Sequence, residues 1–223
     1  MLTTYGRTQT LNWRSGVSAP ASVTTRYLAL FTAVGTVAGT GFTEAAYTGY
    51  TRVAVTFGSA SGTDPDTISN SAAVTFGTCT ASPGSNIIAW GIYDASSGGN
   101  LIEFDYIVAG GTGSSGVYLP FTASAASPSV ITTPAHGLTA GQFVVVTAEY
   151  GGALPTLSAG SFSGVLTVAA TVTTDSFTLT TSGAVALNAS TTGDGMLRQV
   201  APQAMVVNVT PSFPIGYFVL AAA

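Results

Sequence analysis

Arg26-Tyr27-Leu28-Ala29-Leu30-Phe31-Thr32-Ala33 is the stretch on which the fold turns. Tyr27, Ala29 and Phe31 alternate with Leu28, Leu30 and Thr32, a period of two that sends successive side chains to opposite faces of a strand. The same period returns where Val53, Val55 and Phe57 alternate with Arg52, Ala54 and Thr56. Working outward, it predicts strands at Ala73 to Phe76, Asn86 to Tyr93, Leu101 to Val108, Val117 to Thr122 and Phe143 to Thr147. Further strands are predicted at Val165 to Val172, Ser176 to Thr181, Met205 to Val209 and Tyr217 to Leu220. These segments are rich in β-branched and aromatic residues, which suit a pleated, half-buried surface. Ser61 to Asp66, Asp94 to Asn100 and Gly110 to Gly113 supply the Gly, Asn and Asp that reverse a chain. No long segment carries the helical period with caps. The best helix candidate is Thr8 to Arg14, with Leu11 and Trp13 apolar, and an extended arm is an equal alternative there. Many short strands with Gly-rich turns point to an all-β chain built as an antiparallel sandwich or barrel.

The composition supports a packed core. Of 223 residues 46% are hydrophobic and only 6% charged, against about 25% charged in an ordinary soluble domain, so nothing opposes collapse. The net charge is -4, and all five basic residues are arginines: Arg7, Arg14, Arg26, Arg52 and Arg198. Nucleic-acid binding draws on clustered cations to neutralise phosphates, and an electrostatic membrane contact draws on them equally, so neither partner is expected. Mean hydropathy is +0.47, yet Gly, Thr, Ser or Pro interrupts every apolar run well short of the ~20 residues of a spanning helix. The first residues, Met-Leu-Thr-Thr-Tyr-Gly-Arg, show no basic region followed by an apolar stretch. Cys79 is the lone cysteine and can make no internal disulfide. Synthesis in a reducing cytoplasm is therefore expected. A surface made of Ser, Thr, Gly, Asn and Ala is poorly protected against self-association, which suits a protein packed against neighbours in an assembly, with a merely Thr-rich β-protein as an equal alternative.

Composition shifts at Ser124-Ala125-Ala126-Ser127-Pro128 and again at Gln199-Val200-Ala201-Pro202. Between them the chain is dense in Thr, Val and Gly and poor in aromatics. The expected organisation is one domain from residues 1–126 plus 201–223, with 127–200 inserted as a second.

Three stretches carry a resemblance. They are Tyr27 to Ala33; Gly49-Tyr50-Thr51-Arg52-Val53-Ala54-Val55-Thr56-Phe57 resuming at Ile68 to Phe76; and Ile88-Ala89-Trp90-Gly91-Ile92-Tyr93-Asp94-Ala95-Ser96-Ser97-Gly98-Gly99-Asn100-Leu101. In order and content they resemble small β-sandwich proteins of tailed bacteriophages, known as tail-fibre-like, head-fibre or decoration proteins. The family's closing strands have their equivalent at Met205 to Leu220, with Pro211, Pro214 and Gly216 at the bend. The intervening segment, with Ala135 to Val146, Gly164 to Val168 and Asp175 to Leu179, resembles a small β-barrel module appended to phage tail and fibre proteins. The resemblance implies an antiparallel, jelly-roll-like β-sandwich interrupted by a small β-barrel, a place in the virion, and no catalytic residues.

The residues themselves offer four candidate sites. His136 is the only histidine, and a catalytic or zinc role needs Cys79 or a serine beside it with a carboxylate to orient it; a turn-stabilising His136 and a buried Cys79 are the readings adopted. Asp64 and Asp66 flank Pro65 and could hold calcium, but the loop offers too few oxygens and reads as an Asp-Pro turn. Glu103 and Asp105 share one strand face, as paired carboxylates of a glycosidase do, yet read as a solvated edge. Gly110 to Gly116 lacks the Lys-Ser/Thr of a phosphate loop. No catalytic, cofactor or metal residue is assigned, and no cofactor is expected.

Two function classes follow. The first is a non-enzymatic structural protein that binds the capsid exterior as a decoration, cement or head-fibre protein. The second is a tail or tail-fibre adhesin for a host receptor or polysaccharide, with a depolymerase a distant third. The partners expected are the major capsid protein or tail proteins, further copies of the chain as a homo-oligomer in the particle, and, for the adhesin, a host surface receptor.

Overall fold

The computed structural model describes residues 1–18, 25–61, 67–108, 118–148 and 152–221. The first half runs α1 (Thr4–Arg14), β1 (Arg26–Ala33), β2 (Thr43–Glu44), β3 (Val53–Val55), β4 (Thr67–Ser69), β5 (Val74–Thr75), β6 (Ala89–Tyr93) and β7 (Leu101–Tyr106). It continues with β8 (Leu119–Ala123), β9 (Val130–Thr132), β10 (Phe143–Thr147), β11 (Leu157–Ala159), β12 (Leu166–Val172) and β13 (Ser176–Thr180). The last elements are β14 (Asn188–Ala189), β15 (Gly193–Val200), β16 (Ser212–Phe213) and β17 (Val219–Ala221). The fold is all-β and antiparallel apart from α1. It divides into two compact units, Met1–Ser115 with Pro202–Ala223, and Gly116–Ala201.

The first unit is sandwich-like. One layer is a sheet ordered β2-β1-β6-β7, with β3 pairing the opening residues of β1. Facing it are two ribbons, β5 with β16 and β4 with β17. Leu28 and Leu30 of β1, Trp90 and Ile92 of β6, Val74 of β5, and Phe213 and Phe218 from the returning chain share one core. Trp90 meets Phe218 edge-on at 5.1 Å between ring centroids. Asn70 is fully buried and satisfied: its amide donates to Ala72 O (2.8 Å) and Pro214 O (2.9 Å), and its Oδ1 accepts Phe218 N (2.9 Å). Period two predicts one wetted face on β1, but both faces are covered at its centre. Phe31 packs against Phe42 (4.9 Å), and Phe42 against Phe104 (4.8 Å). Gly91, opposite Ala29, leaves room for this: a Cβ there would come within 2.6 Å of the Phe31 ring.

The second unit closes on itself, six strands pairing in the circuit β10-β12-β13-β9-β8-β15. Phe121, Ile131, Val144, Leu166, Phe177, Leu179 and Leu197 point inward, and β11 and β14 add a two-stranded ribbon. The expected cut at residue 127 falls inside this unit. Ser124 to Pro128 is the β8–β9 hairpin loop: Ser124 Oγ accepts Val130 N at 2.9 Å and Ser129 Oγ donates to Ser124 O at 2.7 Å. Small hydroxyl residues build a tight reversal as readily as a linker.

Three other expectations are corrected. Met205 to Val209 is a turn, with Asn208 at φ 70 and its N–H donating to Cys79 O at 2.8 Å. β15, unpredicted, is one of the two longest strands. The helix begins before Thr8, because Thr3 caps it, its hydroxyl accepting Gly6 N at 3.1 Å.

Candidate functional site

The hairpin after β6 is tied by side chains from within and from below. Asp94 Oδ1 accepts Asn100 N at 2.7 Å and Oδ2 accepts Asn100 Nδ2 at 2.9 Å, so one carboxylate closes the loop from its first residue to its last. Gly99 stands at φ +72 with Asp94 Oδ1 where a Cβ would lie, so no other residue fits. Arg52 holds the loop from below. Its Nη1 donates to Ala95 O (3.0 Å) and Gly98 O (2.7 Å), and its Nε and Nη2 fork onto Glu44 (2.9 and 2.8 Å). Its guanidinium carbon lies 3.4 Å from the centre of the Tyr93 ring. Burial alone would lower the Arg52 pKa, but the bonds and charge of Glu44 raise it. Tyr50 completes the set, donating to Glu44 Oε1 at 2.7 Å and accepting Leu30 N at 3.0 Å, and burial drives its pKa up. Arg52, Glu44 and Tyr50 answer one another's polar groups and together brace the loop.

Asp94 gives this loop a pH dependence. Burial raises its pKa, but the bonds from Asn100 and Tyr5 outweigh that and leave it below the ordinary carboxylate value. The carboxylate therefore stabilises the fold above the unfolded pKa of about 3.9, and that contribution disappears as pH falls through the lower folded-state value. Asp94→Ala is expected to cost roughly 1 kcal/mol or less at pH 7, since the group is half-exposed. The gap from the wild type, measured by urea unfolding at several pH values, should close in acid.

Four of the other sequence candidates, His136, Cys79, Glu103 and Asp105, lie among the described residues. His136 is buried; its Nδ1 accepts Leu138 N at 2.9 Å, so Nε2 carries the proton and donates to Thr173 O at 2.8 Å, with Phe177 edge-on at 4.8 Å. Cys79 is buried with its backbone locked to Val209 and Asn208. His136 belongs to the second unit and Cys79 to the first. Glu103 and Asp105 do share a strand face, opposite Ile92 and Trp90. Glu103 is no solvated edge: the Met1 ammonium stands 3.7 Å away, and burial raises its carboxyl pKa. Asp105 Oδ1 accepts Tyr106 N at 2.8 Å. Asp64, Asp66 and Gly110 to Gly116 lie outside the described residues.

What the first unit leaves open is the far end of α1. The helix docks by its first turn: Thr3 Oγ1 donates to Leu101 O at 2.6 Å, and Gly6 lies so close to Ile102 O that a Cβ has no space. Beyond that turn Leu11 is 64% exposed, Trp13 62% and Val17 74%. Arg7 and Arg14 are exposed on the same helix, whereas Arg52 and Arg198 are withdrawn into their units. Sequence reasoning marked Leu11 and Trp13 as apolar but had no means of telling core from surface, because the helix is too polar to show a buried face.

Comparison with known proteins gives one family, described as podophage GP4 fiber I protein gp80, whose match spans residues 1–129. No curated protein matches the chain.

Proposed function

Because the chain belongs to the podophage GP4 fiber I protein family, and so is a structural fiber protein of the virion in contact with other virion components, we propose that its first unit fastens it to the exterior of the phage head. The role is that of a decoration or head-fibre protein, passive and without catalysis. The observation that carries the reading is the pair of large apolar side chains, Leu11 and Trp13, held out on a rigid helix with Val17 just past its end. Burying a Leu or a comparable side chain yields about 1.5–3 kcal/mol, and repetition over a symmetric lattice multiplies weak contacts into stable attachment. The head is favoured over the tail by the lack of any heptad or fibrous repeat that would carry the protein away from the particle. The family match covers residues 1–129, which includes β8 of the second unit and stops short of the first unit's closing segment; the second unit is proposed to fold as an inserted domain.

Particles assembled with Leu11→Ser/Trp13→Ser should carry far fewer copies, with a loss in affinity of about tenfold or more, as expected for a central aromatic anchor. Wild-type protein should stay bound through a salt series, because apolar burial is not screened as ion pairs are. Release at moderate salt would overturn the apolar mechanism. Reconstruction of the particle tests location, and density confined to the tail would overturn the head assignment.

A further inference from the structure

We propose that the second unit carries a binding groove for an uncharged or amino-sugar oligosaccharide, laid across the outer face of strands β9, β8 and β15. Thr132 stands opposite Thr122, and Thr122 opposite Asp194, so the three outward side chains form one row across three neighbouring strands. With strands about 4.8 Å apart the row is roughly 10 Å long, the span of two linked pyranose rings. Two shallow, open depressions overlap along the row and share these three residues as lining, a shape that suits an extended ligand lying across the strands.

The chemistry of the row is that of sugar recognition. The hydroxyls of Thr122 and Thr132 have no hydrogen-bond partner among the described residues, and each is both donor and acceptor. Asp194 keeps one oxygen on Ala153 N at 2.7 Å and leaves the other open. Beside them Pro120, Pro134 and Met196 give an apolar surface on which the carbon face of a ring can lie. Neither depression is lined by Lys or Arg, so a carboxylate in the row disfavours an acidic sugar.

The site is braced by its own backbone. Asp194 N donates to Ala153 O at 2.9 Å, and β15 carries glycines where the neighbouring segment crosses it: a Cβ on Gly195 would meet Leu154 and Phe121 at 3.0 Å. Preorganised groups lose little on binding. Except for Pro120, Phe121, Thr122, Ala123 and Ser124, the lining residues lie beyond the family match, and the inference does not depend on where the protein sits on the particle.

The test uses the full-length protein with maltotetraose, chitotetraose, a glucosamine tetramer and tetragalacturonate as probes, followed by saturation-transfer NMR and calorimetry. At least one neutral or amino tetrasaccharide should bind and tetragalacturonate should not. Thr122→Val/Thr132→Val keeps side-chain shape on strands that favour valine, so its melting temperature should hold while affinity for the bound probe falls about tenfold, the loss expected from two hydrogen bonds. Asp194→Asn, which can still accept from Ala153, should weaken the amino sugar more than the neutral ones. Absence of binding by all the probes, preference for tetragalacturonate, or unchanged affinity in the double-valine variant would each overturn the proposal.

Discussion

Replacing Arg52 by methionine should destabilise the first unit by about 3 kcal/mol, near the lower end for removing one partner of a buried charge pair. The side chain is 9% exposed and Glu44 29%, so part of the loss is screened by water at the Glu44 end. What remains is a carboxylate facing the Tyr50 hydroxyl alone, two loop carbonyls at Ala95 and Gly98 without their donor, and a Tyr93 ring without its cation. In a protein of this size 1 kcal/mol moves a melting transition by about 2–4 °C, so a fall near 10 °C is expected for that transition. Arg52→Lys should recover little, because an ammonium cannot fork onto Glu44 while reaching both carbonyls. A drop of only a degree or two in differential scanning calorimetry would mean that the loop holds itself through Asp94 and Asn100.

Phe177→Ala is expected to cost about 3–5 kcal/mol, the usual range for emptying an aromatic site in a core. Phe177 is buried among the inward residues of the closed strands and its ring supports His136 edge-on. The transition that moves should be that of residues 116–201, while near-UV signals from Trp90 in the first unit persist. That outcome is what an inserted, separately folding domain requires. A single cooperative melt shifted as a whole would instead make the two units one thermodynamic body.

Legibility in the sequence differed between the two units for physical reasons. Tyr27 to Ala33 and Ile88 to Leu101 could be read because period two and turn chemistry are local properties, and the structure uses both locally. β15 could not: Gly193-Asp194-Gly195 carries the letters of a turn, and only the crossing segment at Gly152 to Pro155 explains glycines inside a strand. Met205 to Val209 fails in the opposite sense, with strand-forming residues bent by Asn208. His136 was legible as a turn residue because so little else near it could do chemistry. The groove was not, since Thr122, Thr132 and Asp194 are far apart in sequence and become neighbours only through register.

Asn70 ties β4 to the segment around Pro214 and Phe218. Met205, Phe213, Tyr217 and Phe218 supply core to strands made long before them. On the ribosome, residues 116–201 emerge ahead of that segment, so the closed barrel can form while the first unit still exposes Leu28, Trp90 and Ile92. The sandwich is thus the earlier unit in sequence and the later one to mature. Until that segment arrives, Leu28, Trp90 and Ile92 lack the part of their core that it supplies, and exposed apolar surface of that kind favours aggregation of incomplete chains.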